Sequence, residues 1–457
     1  MKMKKYILII TSIFVVLFSS CENYLDLSPI DAIGSNNFYR NADEVNAGII
    51  AIYDGLQDIP EYEFALTEMR SDNSKTRNSE GEWAQFEDMN VDPTNATVSS
   101  YWSASYNVIF RANTVLPHLD VVTDKTLHNQ YEGEIYFLRA LMYFNLVRLY
   151  GDVPLIDKVV APEETEYFVR KPVSDIYNFI IKDLTKAISD LPNKDVVEEG
   201  RATKAAAQAL LAKVYLTTKN YAEAKNLLQD IITSGEYSLE TNYNDIFYSA
   251  NNSEIIFGVY YIAGDAADGE GFSYAFSPQG RASGLNWPTD DLINSIDTAT
   301  DARTNTLLYW NPTAGSSGDW ACGKFLDPNN LEYAGNTWII LRYADVYLMY
   351  CEAVLAGGNS STDGTALSYI NAIRNRAGLA ALTQITPDNL LLERRAEFAF
   401  ENQRLFDLIR FDKAEEVMDA FSKTPEGGFE FSPTDLLLPI PQRELNVYSG
   451  MTQNPGY

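Results

Sequence analysis

The sequence predicts a mainly α-helical protein with a little β structure and irregular loops, and three observations lead there. Apolar residues recur at spacings of three and four through most of the chain. Two helix pairs place small and aromatic residues at tetratricopeptide-repeat spacing. Two segments, about 60–97 and 241–336, leave that period for sequence rich in Asn, Asp, Gly, Ser and aromatics. With 457 residues, 46% of them hydrophobic, the chain can bury a large core, and length alone suggests about three domains.

At the N-terminus, Lys2, Lys4 and Lys5 precede an apolar run from Tyr6 to Phe18, followed by small Ser19 and Ser20 and then Cys21. A charged start, an apolar middle and a small-residue exit make residues 1–20 a secretory leader. The run is shorter than the about 20 residues a spanning helix needs. Cys21, directly after the small residues, resembles the lipidated cysteine of bacterial lipoproteins, and the alternative is a free thiol past an ordinary cleavage site. At about 0.8 kcal/mol per buried methylene, one acyl chain anchors marginally and several anchor firmly. Residues 21–40 are then a lipidated tether and 41–457 the helical domain.

Within that domain "PVSDIYNFIIKDLTKAISDL" sets Ile176, Phe179, Ile180, Asp183, Leu184, Ala187 and Leu191 on one largely apolar stripe, with Pro172 and Ser174 at its start and Pro192 as its stop. Similar patterns cover about 41–58, 98–117, 126–149, 203–217, 221–234, 338–356, 364–377 and 387–412. In "QALLAKVYLTTKNYAEAKNLLQDII", small Ala212 and Ala224 let two helices approach, and Tyr215 and Leu228 fill the space between them. "LRYADVYLMYCEAVL" and "TALSYINAIRNRAGL" repeat that layout. Such pairs stack into a solenoid. In "LLERRAEFAFENQRLFDLIRF", Arg394 and Glu397, Glu401 and Arg404, and Arg404 and Asp407 stand three apart, the spacing of ion pairs on a helix surface. The helix reads as a structural ion network rather than as catalytic machinery. "SEIIFGVYYIAG" is the best strand.

The formal net charge of −28, more acidic once the leader's lysines are gone, argues against nucleic acid and acidic polysaccharides and for neutral or cationic ligands. Besides Cys21 only Cys322 and Cys351 occur, which excludes a disulfide framework. Two histidines, His118 and His128, cannot make a His-rich metal site. No GxSxG, HExxH, Walker or dinucleotide motif is present, so neither catalyst nor cofactor is expected.

Abundant aromatics in the two irregular segments argue for function rather than disorder. Trp102 and Trp338 belong to helical patterns, whereas Trp83, Trp287, Trp310 and Trp320 lie in the irregular regions. A sugar ring has apolar C–H faces and hydroxyl edges, so it calls for a flat aromatic beneath and amides, carboxylates or guanidinium groups beside it. "MRSDNSKTRNSEGEW" offers Arg70, Asp72, Asn73 and Arg77 near Trp83; "SGLNWPTDD" offers Asn286, Asp290 and Asp291 around Trp287. The glycan-binding candidates are Trp83, Trp287, Trp320, Asp72, Asn73 and Arg77, each indole having burial as a loop anchor for its alternative.

Eight stretches in order, from "CENYLDLSP" through "YFLRALMYFNLVRLYGDVPLI", "GRATKAAAQALLAKVYL", "RYADVYLMYCEAV", "INAIRNRAGL", "ERRAEFAFENQRLFDLIRF" and "LLLPIPQREL" to "QNPGY", resemble the RagB/SusD family of outer-membrane nutrient-binding lipoproteins. The resemblance implies a SusD-like helical domain scaffolded by about four tetratricopeptide-like pairs with variable loops over it. It also implies a lipid-anchored place on the outer membrane facing the exterior, and a SusC-type TonB-dependent barrel as partner in polysaccharide utilisation. The ligand it implies is an oligosaccharide, uncharged by the composition argument. A peptide-binding member, a tetratricopeptide scaffold holding ligand in its concave face and a glycoside hydrolase built on two carboxylates are the alternatives. The shared motifs are scaffold motifs and transfer no ligand residues.

Overall fold

The computed structural model describes residues 38–77, 81–249, 252–278, 284–311, 319–327, 329 and 332–457. The leader, Cys21 and all but the last three residues of the tether lie outside them. Ten of its helices are, in chain order, α1 (Ala42–Leu56), α2 (Pro60–Thr67), α3 (Gly81–Glu87), α4 (Ala96–Val115), α5 (Lys125–Tyr150), α6 (Val173–Asp190), α7 (Lys204–Thr217), α8 (Tyr221–Ser234), α9 (Tyr343–Leu355) and α10 (Gly364–Arg376). Side chains of Asn41, Asn95, Asp124, Thr203 and Asp363 cap five of these by accepting first-turn N–H groups.

α1 packs on α4, and from there α4, α5, α6, α7, α8, α9 and α10 each pack on the next. The result is four helix pairs in one file. Ala212, Ala224 and Leu228 are fully buried where α7 meets α8. At Gly133 a Cβ would stand 2.8 Å from Leu191 Cγ, so glycine is what permits the close approach of α5 to the end of α6. The chain leaves the stack after Ser234 and rejoins it at Tyr343, α8 packing on α9 across the gap. The long irregular region is therefore an excursion from a continuous scaffold. Among the described residues no helix is long and apolar enough to cross a membrane.

Two predicted helices differ in the structure. Among the described residues the strands are, in chain order, β1 (Ser74–Lys75), β2 (Val153–Pro154), β3 (Arg170–Lys171), β4 (Ile255–Val259), β5 (Trp287–Pro288), β6 (Leu308–Asn311), β7 (Asp319–Cys322) and β8 (Trp338–Arg342). Residues 338–342 thus form β8, antiparallel to β4 with Val259 opposite Trp338. Trp-Ile-Ile-Leu suits a pleated, covered surface, and without β8 the β4 edge would be left unpaired. The 387–412 segment breaks into α11 (Pro387–Phe398) and α12 (Arg404–Arg410), with Phe400 and Asn402 at positive φ of 66° and 60°. Buried Glu68 accepts the N–H groups of Phe400 at 2.8 Å and Asn402 at 3.0 Å, satisfying the backbone that the break releases.

The ion network exists, but in another place than the helix surface. Arg394 reaches Asp407 and Asp345, both at 2.8 Å; Glu397 receives Arg342, Arg376 and Arg303; Glu401 receives Arg342 and Lys324; Arg404 grips Asp72. None of the three predicted pairs forms. The side chains of all these groups are buried, so the network joins α11 and α12 to β8, α9, α10 and the segments around 72 and 303. Burial alone would raise the Glu397 carboxyl, but the guanidinium groups of Arg376, Arg342 and Arg303 hold it well below the usual carboxylate range. Cys322 and Cys351 are buried and free, and burial pushes the Cys322 thiol up to about 12.

Candidate functional site

The two irregular segments converge on one cleft of about 640 Å³. The end of α1 and the start of α2 supply Asp54, Asp58, Glu61 and Tyr62, α3 supplies Trp83, and the excursion supplies Tyr261, Tyr274, Glu332 and Tyr333. No lysine or arginine lines it among the described residues. Its volume lies within the range of sites for small ligands.

Trp83 is held by packing from below. Its indole stacks on Phe64 at 5.5 Å and 18°, and Phe64 meets Phe276 edge to face at 4.9 Å. Phe272 and Phe325 pack around Trp338 beneath, at 4.8 and 5.0 Å. The cleft thus has an aromatic bed, with Trp83 half-buried at its top. Rigid rings lose little entropy when a ligand lands on them.

The excursion wall is tied to the helical stack by polar contacts. Tyr261 Oη donates to the carbonyl of Gln57 at 2.9 Å, and Gln57 Nε2 donates to the carbonyl of Tyr260 at 3.0 Å. Gly271 N–H donates to Glu61 Oε1 at 2.8 Å, where a Cβ would sit 3.1 Å from both carboxylate oxygens. Glu270 and Ala334 exchange backbone hydrogen bonds of 2.9 Å. The Glu270 carboxylate accepts from Ser273 N–H at 2.8 Å and Asn336 Nδ2 at 3.4 Å. Burial, with the Glu61 and Asp327 carboxylates nearby, pushes its carboxyl up to about 8, so it carries its proton at neutral pH. At 1% exposure Glu270 cannot reach a ligand as an acid. It holds the short helix Phe272–Phe276, and with it Tyr274, in place.

The structure separates the predicted glycan residues. Trp83 lines the cleft. Trp287 does not: it is 1% exposed, lies in strand β5 (Trp287–Pro288) opposite Lys75 of β1 (Ser74–Lys75), packs on Ala321 and has the Arg77 guanidinium 4.8 Å over its ring. Asp72 and Asn73 are also corrected to interior positions. Asp72 takes both its Arg404 bonds at 2.7 Å, and Asn73 accepts from Arg395 at 2.7 Å while donating to Glu68 at 2.9 Å. A carboxylate and an amide so occupied are packing devices that join the loop to α11 and α12. Arg70 is likewise buried, bonded to the carbonyls of Leu66 and Asp435, and Asn286 is buried against Ser74. Asp290 and Asp291 are exposed, and Asp291 pairs with Arg395 at 2.8 Å. Trp320 is half-buried in a hairpin of β6 (Leu308–Asn311) and β7 (Asp319–Cys322), directly across from exposed Trp310 at 5.0 Å, and does not line the cleft.

Four tyrosines, Tyr62, Tyr261, Tyr274 and Tyr333, were missed by reading tryptophan alone. The signal was there in 29 tyrosines, several in "YY" at 260–261 and "FSYAF" at 272–276, since phenol joins a flat face to a hydroxyl.

Residues 283–457 match a family described as the SusD family, and residues 23–216 match one described as "Starch-binding associating with outer membrane". SusD-like protein P2 of Formosa agariphila is 27% identical over the whole of both chains. Starch-binding protein SusD of Bacteroides thetaiotaomicron is 24% identical over 96% of each. A solved structure described as a laminarin-binding SusD-like protein superposes with a TM-score of 0.79 at 27% identity, covering 92% of this chain and all of that one.

Proposed function

The chain belongs to the SusD family, and from that premise we propose that it is a cell-surface lipoprotein that captures an uncharged oligosaccharide and delivers it, unchanged, to a SusC-type TonB-dependent barrel. The observation that carries the proposal is the cleft, whose Trp83 and tyrosines offer faces for C–H surfaces and whose carboxylates offer acceptors for hydroxyl edges. Full-length likeness to a starch-binding and to a laminarin-binding protein supports carbohydrate as the ligand class. An acidic lining supports neutral glycans over sulfated or uronate-bearing ones. Cys21 is the proposed anchor to the outer membrane. Trp320, with Trp310, is an outlying surface for a longer chain.

The test is retention in affinity gels of laminarin, starch and other neutral glycans by soluble protein that begins after Cys21. Trp83→Ala and Tyr274→Ala should each weaken retention about five- to tenfold, the equivalent of roughly 1 kcal/mol of stacking, with little change in melting temperature. Trp287→Phe should leave retention as it is. Normal retention by both cleft variants would remove the cleft from the proposal.

A further inference from the structure

A second concavity, of about 540 Å³, shares no lining residue with the glycan cleft. It lies between the first half of α4, the segment 154–168 and the short helix Gln442–Val447 near the C-terminus, with the residues that follow it. Its walls are aromatic. Tyr106, Phe168 and Tyr448 face it, with Trp102, 3% exposed, at its base. Trp102 and Tyr106 stand 5.0 Å apart, and Phe168 meets Tyr448 edge to face at 6.1 Å. The Tyr106 hydroxyl donates to the Pro154 carbonyl at 2.8 Å, which holds that ring in place.

One charged side chain lines this space, the half-buried Glu444. Among the described residues its carboxylate makes no hydrogen bond and no salt bridge, and the exposed guanidinium of Arg443, next to it in the chain, acts on it only at a distance. Ring faces carry negative potential and attract cations, and a carboxylate taken partly out of water is stabilised by a counter-charge. A sugar would need several polar partners along its edge, and the remaining wall is mostly aliphatic and proline. An acyl chain would leave Glu444 against hydrocarbon. We propose that this pocket takes an alkylammonium group on an apolar stem, the chemistry of a lysine side chain in a peptide or of a free alkylamine. The acidic surface, with a formal charge of −28, favours encounter with such a cation.

The experiment titrates soluble protein that begins after Cys21 with n-butylammonium, Nα-acetyl-lysine methylamide and its neutral match Nα-acetyl-norleucine methylamide, followed by ligand-observed NMR. Both ammonium probes should bind saturably, and the norleucine probe about tenfold or more weaker. Glu444→Gln should weaken the two ammonium probes about fivefold or more and leave the norleucine probe unaltered. Tyr448→Leu, which keeps apolar area, should weaken the ammonium probes alone. Neutral-glycan retention by Glu444→Gln should match wild type, which shows that the variant is folded. Tighter binding of the lysine probe than of butylammonium points to a peptide source, and equal binding to a free amine. Norleucine binding as strong as lysine, unaltered ammonium binding by Glu444→Gln, or no saturable ammonium binding would each overturn the proposal.

Discussion

Glu270→Gln is expected to raise stability at neutral and alkaline pH and to flatten its pH dependence. Glu270 sits 1% exposed beneath the rim of the candidate cleft with no cation bonded to it, and burial with nearby Glu61 and Asp327 lifts its carboxyl from 4.5 to about 8. Between those values the folded protein keeps a proton that the unfolded chain has released. The stability this contributes is fully present below about 4.5 and is lost as pH rises through about 8. From pH 5 to 8 the ceiling on that loss is about 4 kcal/mol, at 1.36 kcal/mol per pKa unit. Glutamine keeps the shape and cannot ionise, so the term vanishes. With an unfolding entropy of about 2.1 cal/mol/K per residue over roughly 400 residues, the ceiling is about 5 °C in melting temperature. Thermal scans of both proteins from pH 5 to 8.5 should coincide near pH 5 and separate by about 2–5 °C at pH 8, the variant melting higher. The other carboxylates titrate in both and cancel. Parallel curves across that range would refute the reasoning.

Arg342→Met should cost about 3–5 kcal/mol in denaturant unfolding, because Glu254, Glu397 and Glu401 would each lose a buried partner. Since Glu397 and Asp345 are held below the ordinary range, the stability they contribute is present above about pH 4.5 and is lost as pH falls through their folded values; circular dichroism should show the helices surviving moderate acid. Cys21→Ala should move the protein from the membrane fraction to the soluble one; membrane association without acylation would count against the anchor. Prolonged incubation with a bound oligosaccharide should release no new reducing ends, and their appearance would restore the hydrolase alternative.

The helical stack was legible because it is written in local periodicity. Ile176, Ile180, Leu184 and Ala187 lie on one face whatever they pack against, and all four are buried. So was strand β4, a run of β-branched and aromatic residues between turns. Trp338–Arg342 was misread because a short apolar run suits either helix or strand, and its pairing partner lies about 80 residues upstream in β4.

In the candidate site the same division holds. Composition placed an aromatic, acidic surface in the segments 60–97 and 241–336, and those two segments do meet in the cleft. Which aromatics face outward was not written locally. Trp83 and Trp287 sit in similarly polar stretches of sequence, yet one is held by Phe64 at the rim of a cleft while the other is covered beneath a hairpin. Likewise Asp72 resembled a ligand-binding carboxylate until Arg395 and Arg404, more than 300 residues away in sequence, closed on it.

The sequence by itself determined the stack of helices, the acidic character and the family, since apolar period, net charge and motif order need no partner to be read. Only the tertiary structure decided the break between α11 and α12, the wiring of the buried ion pairs and the choice of cleft residues. Burial and charge pairing are properties of neighbours in space, and those neighbours come from distant parts of the chain.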